Sequence, residues 1–130
     1  GISVEQWRDL GGSLLDILDS EAVLINEFFR LLILSVFTKN RDINHFHVLA
    51  RRYQSSDPCA RREIILSARA NSAIDWLREH KETFTNMDPW QRLAFIYSSK
   101  LIPKDEKKFF LNHLHPTQPF EVVLTKWAKA

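Results

Sequence analysis

The side chains best suited to chemistry in this sequence are arginines that return at a fixed interval. Arg30, Arg61 and Arg92 stand 31 residues apart. A guanidinium is planar, permanently charged and presents a fork of N–H donors to a carboxylate or a phosphate. On equivalent helices stacked roughly 10 Å apart, the three form an inter-repeat ladder with two possible uses. It can follow phosphates along a nucleic-acid strand, or it can tie neighbouring helical units together, and the sequence leaves both open. A second set of cations, Arg51, Arg52, Arg62, Arg69, Lys100, Lys104, Lys107 and Lys108, is expected at the surface. Arg62 and Arg69 are seven apart and so share a helix face, while Arg51 and Arg52 end a predicted helix, where the macrodipole favours cations. Together these residues can build a face for RNA, DNA or an acidic partner, or they can be ordinary solvated charge.

Other chemistries are poorly served. His45-Phe46-His47 and His113-Leu114-His115 hold histidines two apart, which on a helix point in different directions and do not share a metal. With Cys59 the only cysteine and no HExxH, no zinc site is expected, and no motif asks for a cofactor. Arg41-Asp42-Ile43-Asn44-His45-Phe46-His47 resembles the Arg-(polar)-x4-His motif of HEPN ribonucleases, which are small all-α proteins. The resemblance implies that arginine and histidine jointly position and polarise a 2′-hydroxyl and the scissile phosphate. In that family the motif opens a core helix, whereas Arg41-Asp42 reads here as a link between two helices. The aromatic residues invite base stacking, but Trp76 and Trp90 fall on apolar helical stripes and are expected in the core. Trp7 and Trp127, near the ends, can pack against other parts of a parent chain.

Helices must position these residues. Ser3 and Gln6 make a capping box before a helix reaching about Ser20, with Gly11 and Gly12 weakening its middle. Ser20 can cap a second helix from Glu21 to about Lys39, apolar on nearly every side and so expected at the centre of the domain. A third, about Asn44 to Gln54, carries Phe46, Leu49, Ala50 and Tyr53 on one stripe. Asp57-Pro58 and Asp88-Pro89 each pair a capping carboxylate with proline at the first helical position, where its missing N–H does no harm. The helix after Pro89 shows Trp90, Leu93, Ala94, Tyr97 and Leu101 at helical spacing. Partner helices are expected at about Ala73–Thr83 and Lys104–His113, and a last one from Pro119.

These segments repeat. Asp57-Pro58-Cys59-Ala60-Arg61 matches Asp88-Pro89-Trp90-Gln91-Arg92 at an offset of 31, and Pro119 follows Pro89 by 30. Ile33-Leu34-Ser35, Ile65-Leu66-Ser67 and Ile96-Tyr97-Ser98 recur at offsets of 32 and 31. Such periods mark helical solenoids, in which each hairpin buries its apolar face on its neighbours. The pattern resembles the HEAT-like αα repeats, which implies an all-α, short right-handed stack of tandem hairpins with about seven or eight helices. The 130 residues fit one domain.

Composition agrees with a globular chain: 45% hydrophobic and 26% charged residues, with three glycines and five prolines. The lone cysteine fits a reducing, cytoplasmic setting. The apolar run from Leu24 to Phe37 contains Asn26, Glu27 and Arg30 and is too short to span a bilayer, so no membrane partner is expected. Charge is uneven. Residues 1–50 hold four Lys/Arg against seven Asp/Glu, a net −3, and residues 51–130 hold fourteen against nine, a net +5. A basic C-terminal portion suits nucleic acid or an acidic partner. The chain opens on Gly1 rather than an initiator Met, which suits a piece of a larger protein.

A longer resemblance spans roughly residues 13–112. Ser13-Leu14-Leu15-Asp16, Glu27-Phe28-Phe29-Arg30, Arg61-Arg62-Glu63-Ile64-Ile65, Asp75-Trp76-Leu77-Arg78, Met87-Asp88-Pro89-Trp90-Gln91-Arg92 and Pro103-Lys104-Asp105-Glu106-Lys107-Lys108-Phe109 carry it. This texture resembles the helical segment that follows the polymerase in some bacterial reverse-transcriptase-like proteins, including phage-defence ones. The resemblance implies a non-catalytic accessory module of an RNA-directed DNA polymerase, contacting nucleic acid or the polymerase part of the parent chain. The polymerase's own YxDD motif is absent here. A protein-interaction scaffold with an apolar groove between hairpins, touching no nucleic acid, is the competing expectation.

Overall fold

A computed structural model of the chain describes residues 1–18, 20 and 26–130. Among these the order is α1 (Val4–Ile17), α2 (Glu27–Val36), α3 (Ile43–Ala50), α4 (Pro58–Ala70), α5 (Ile74–His80), α6 (Pro89–Ser98), α7 (Lys104–His113) and α8 (Pro119–Lys129), with 3-10 turns at Lys81–Asn86 and Ser99–Leu101. The fold is all-α, and the described residues contain no strand. No helix among them is long and apolar enough to cross a membrane.

The helices stack with the period read from the sequence. The segment begun by Pro58 packs along the one begun by Pro89, which packs along the one begun by Pro119, while α2 packs on α4 from the other side. A first row, α2–α4–α6–α8, therefore carries one helix per repeat, and α3, α5 and α7 return between its members. Helix α1 leans on α2 and α3. The main core lies under α4 and α6, where Ile64, Ile65, Ala68, Phe95 and Ile96 are essentially inaccessible and meet Leu77, Phe84, Phe110 and Leu111. A smaller core joins Leu18, Leu34, Phe37, Leu49 and Ala60.

The capping signals account for most helix starts. Ser3 and Gln6 close a reciprocal box. Asp57 accepts from the Ala60 amide at 2.9 Å, and Asp88 from the Gln91 amide at 2.8 Å, each with proline at the first helical position. Three expectations need correction. Helix α2 is not central, since Phe28, Phe29 and Leu32 are exposed. The central helices are α4 and α6, which have first-row neighbours on both sides, whereas α2 has only α4 along its flank. The start expected at Glu21 lies outside the described residues. Helix α5 ends at His80 and tightens into the 3-10 turn, whose i to i+3 geometry turns Phe84 into the core. Trp90, expected inside, is 64% exposed. Helix α6 is gripped by α4 and α8 and buries Gln91, Ala94, Phe95, Ile96 and Ser98, so its Trp90 side turns outward.

Asn40, only 1% exposed, pins the first hairpin. Its Nδ2 donates to the Trp7 carbonyl of α1 at 2.8 Å, its Oδ1 accepts from the Asp42 amide at 3.0 Å, and its carbonyl accepts from Asn71 Nδ2 at 3.1 Å. The pin explains the glycines that weaken α1. A Cβ on Gly11 would stand 2.3 Å from Asn40 Nδ2 and 3.0 Å from His45 Nδ1, while one on Gly12 would meet only His45 atoms at 3.7 Å and beyond.

Gly12→Ala should thus raise stability by about 0.5–1 kcal/mol through helix propensity. Gly11→Ala should lower it by roughly 1–3 kcal/mol through overpacking. Thermal melts of the two variants check the contrast, and equal shifts of one sign would contradict the Asn40 pin.

A second expectation concerns Asp57, to which Arg30 donates across the repeat boundary. Burial pushes its carboxyl up, but the Ala60 amide and the Arg30 guanidinium outweigh this and hold it below the ordinary carboxylate range. A lowered folded pKa gives stability that is present above the unfolded value near 4 and is lost as pH falls through the folded value. Asp57→Asn should retain most of the cap but flatten the acid limb of a stability–pH curve below about pH 4, and Asp57→Ala should cost roughly 0.5–2 kcal/mol at neutral pH.

Candidate binding surface

The ladder arginines are all engaged within the chain. Arg30 donates to Asp57, the cap of the next first-row helix. Arg92 donates to Glu121 in the first turn of α8 and lies over the Phe84 ring at 4.5 Å. Arg61 departs from this pattern. Its Nε donates to the Tyr53 carbonyl at 2.9 Å and its terminal nitrogen to the Gln54 carbonyl at 2.7 Å, in the turn before its own helix. Glu121 is doubly used, since it also accepts from the Gln118 amide at 3.1 Å and so closes the cap of α8.

The eight surface cations divide into groups. Arg51 caps the end of α3 and donates to the His47 carbonyl at 3.3 Å. Arg52 donates to the Val48 carbonyl and lines a recess with Leu18, Arg30 and Asp57. Lys104, Lys107 and Lys108 lie on α7, in the second row. Arg62 pairs with Glu63 at 3.4 Å on α4. Arg69, on the same helix, and Lys100, just past α6, are drawn together by two aromatic rings. The Arg69 guanidinium lies 4.3 Å from the Tyr97 ring, Tyr97 stacks on Trp127 at 5.6 Å and 8°, and Lys100 Nζ lies 4.4 Å from the Trp127 ring while donating to the Trp127 carbonyl at 3.2 Å.

The histidine motif is divided as well. His45 faces Gly11 and Gly12, with its Nδ1 buried and unpartnered, while His47 is exposed beside Trp76 and Asp75. Arg41 lines a different cleft, beside Lys39 and Arg69. Trp76 is partly buried, stacked on His80 at 3.9 Å and edge-on to Phe46 and Tyr53. No group of three or more His, Cys, Asp or Glu placed to hold a metal occurs among the described residues.

The feature that sequence reasoning misplaced is an apolar groove along the seam of α6 and α8. Leu93, Tyr97, Phe120, Val123, Leu124 and Trp127 line a volume of about 460 Å³ with hardly a polar atom at its surface. A further 300 Å³ continues past Leu93 and Phe120 to Met87, Pro89 and the Arg92–Glu121 pair. Phe120 is 79% and Val123 69% exposed, and Trp90 stands on the same stripe of α6 as Leu93 and Tyr97. The groove arises because α8 turns Glu121, Thr125 and Ala128 inward. Its more apolar opposite side, with Phe120, Val123 and Trp127, is then left without a covering element among the described residues. The signal was present in the sequence as an apolar stripe on this last helix; periodicity alone does not say whether such a stripe is covered.

No protein-family model matches the chain, and neither a curated protein nor a solved structure matches it.

The Arg92–Glu121 pair fixes the angle between the groove's walls. Its members are 17% and 3% exposed, so removing one strands the other in a poorly solvated place. Glu121→Ala should cost about 3 kcal/mol in chemical denaturation, and Arg92→Ala with Glu121→Ala together should cost less than the sum of the single changes. Additive losses would show that the pair carries no coupling.

Proposed function

We propose that this chain is a non-catalytic helical-repeat binding module whose working surface is the α6–α8 groove, and that the groove receives an amphipathic helix with acidic flanks from a protein partner. The observation that carries this reading is the contiguous exposure of Phe120, Val123, Trp127 and Trp90 around an apolar trough. Large exposed apolar patches are the usual mark of a partner surface, and a groove between two helices suits anchors at i, i+3 or i+4, and i+7 of a third. Charge selects the flanks: Arg69 and Lys100 stand at one margin, and the only carboxylate lining the groove among the described residues, Glu121, is buried and bound to Arg92. The resemblance to the segment that follows the polymerase in bacterial reverse-transcriptase-like proteins supports a partner within the parent chain. The helix would belong to the polymerase portion of such a parent, and this module would organise rather than catalyse.

The test uses two synthetic helical peptides with leucines on one face, one flanked by glutamates and the other by lysines. Tryptophan fluorescence reports occupancy through Trp90 and Trp127. The acidic peptide should bind with Kd on the order of micromolar and the basic one at least about tenfold more weakly. Val123→Asp, at an exposed position of α8, should abolish binding with the helical circular dichroism unchanged. Equal binding of both peptides, or survival of binding in Val123→Asp, would remove the groove from consideration.

A further inference from the structure

A second surface lies at the end of the stack where the first-row helices finish, and it meets the basic margin of the groove at Arg69. A cleft of about 680 Å³ is lined there by Thr38, Lys39, Arg41, Arg69, Asn71 and Ser72, with Ile43 and Leu101 at its sides. Three cations from two different repeats converge on it, and among the described residues no carboxylate lines it. None of the three takes part in an ion pair among the described residues. Lys39 stands 5.7 Å from the Trp7 ring, Arg41 is exposed, and Arg69 is held by the Tyr97 ring alone. The Arg69 Nε has no hydrogen-bond partner although it is buried. A guanidinium fixed by an aromatic face rather than by a carboxylate keeps its whole charge available to a ligand. The arrangement also continues: Lys100 follows Arg69 by 31 residues, one repeat on, and is likewise held over an aromatic ring.

We infer that this edge binds the phosphodiester backbone of single-stranded nucleic acid, with Lys39, Arg41 and Arg69 on the cleft and Lys100 one repeat further along. A row of cations set at the repeat distance fits a linear polyanion better than a single small anion, because each helix end meets a separate charge. An acidic peptide carries the same charge, but an extended peptide also relies on main-chain pairing. This edge offers little of that. The amides of Lys39, Asn40, Asn71, Ser72 and Ala73 donate to the Val36, Val36, Ser67, Arg69 and Ala68 carbonyls, and that of Asp42 to Asn40 Oδ1. What is left is side-chain charge, which a phosphodiester strand uses fully. Ser72, in the left-handed region at φ 51°, turns the chain sharply after α4 and keeps the cleft open beside Arg69.

Fluorescence anisotropy of a labelled oligouridylate of about 20 nucleotides tests this. With three or so phosphate contacts, affinity should fall roughly 20-fold between 50 and 200 mM salt. Lys39→Glu with Arg41→Glu, both on exposed side chains, should weaken binding about tenfold or more and reduce the salt slope by about one per lost contact. Arg69→Gln is the second variant, and should do the same without reversing a charge beside Tyr97. Val123→Asp should leave oligonucleotide binding intact, so failure of the groove and failure of this edge are read separately. The inference is overturned by absence of binding at 50 mM salt, or by unchanged affinity in the Lys39/Arg41 double variant. It is equally overturned if polyglutamate or inorganic phosphate at matched charge displaces the probe as well as unlabelled oligouridylate does.

Discussion

The close approach of α4 to α6 is the constraint on which the rest of the structure depends. Along this contact most residues are small or β-branched, with Ile64, Ile65, Ser67 and Ala68 on one helix and Ala94, Ile96 and Ser98 beside the larger Phe95 on the other, all buried. Small side chains at a helix contact shorten the interaxial distance, and a short distance repeated at one period makes a stack rather than a bundle. Ser98, fully buried at this contact, turns its hydroxyl toward the Ile65 carbonyl of the neighbouring helix at 3.5 Å. Once this pair is set, α2 and α8 extend the same row, and the second-row helices fill the remaining side with Leu77, Phe110 and Leu111.

Polar groups then fix the angles that hydrophobic burial leaves loose. Each boundary between repeats is crossed by polar contacts: Arg30 to the Asp57 cap and Asn71 to the Asn40 carbonyl at the first, Ser98 to the Ile65 carbonyl at the second, Arg92 to Glu121 at the third. On the second row, Arg78 joins Asp75 at 2.7 Å and also Glu106 on α7, but these groups are exposed and contribute little to stability. The Glu106 carboxyl is held below its ordinary range by the Arg78 hydrogen bond. Neutral packing supplies the stack, and the charged pairs register one unit against the next.

Local signals made much of this legible in the sequence. Asp-Pro at two helix starts, the Ser3–Gln6 box and the 31-residue spacing are short-range features whose physics is complete within a few residues, and the helices begin where those features stand. Less was legible where the outcome depends on what lies opposite. The stripe of Trp90, Leu93 and Tyr97 has the right period for a core, yet it walls a groove, because α4 and α8 cover the other sides of α6. The Asn40 pin could not be foreseen, since an asparagine before a helix is ordinary turn chemistry until three elements converge on it. Lys39, Arg41 and Arg69 are 28 or more residues apart across their widest gap, and only the return of the chain through α3 places them on one cleft.

Glu121 has a consequence beyond its ion pair. A single carboxylate closes the cap of α8 through one oxygen and fastens the helix to α6 through the other, so docking and the first turn are coupled through one side chain. Docking and local helix formation become one cooperative event, and the outermost unit opens as a whole rather than by fraying residue by residue. Any molecule that bridges the two walls must therefore slow amide exchange throughout α8, well beyond the atoms it touches, which makes this helix a built-in reporter of occupancy.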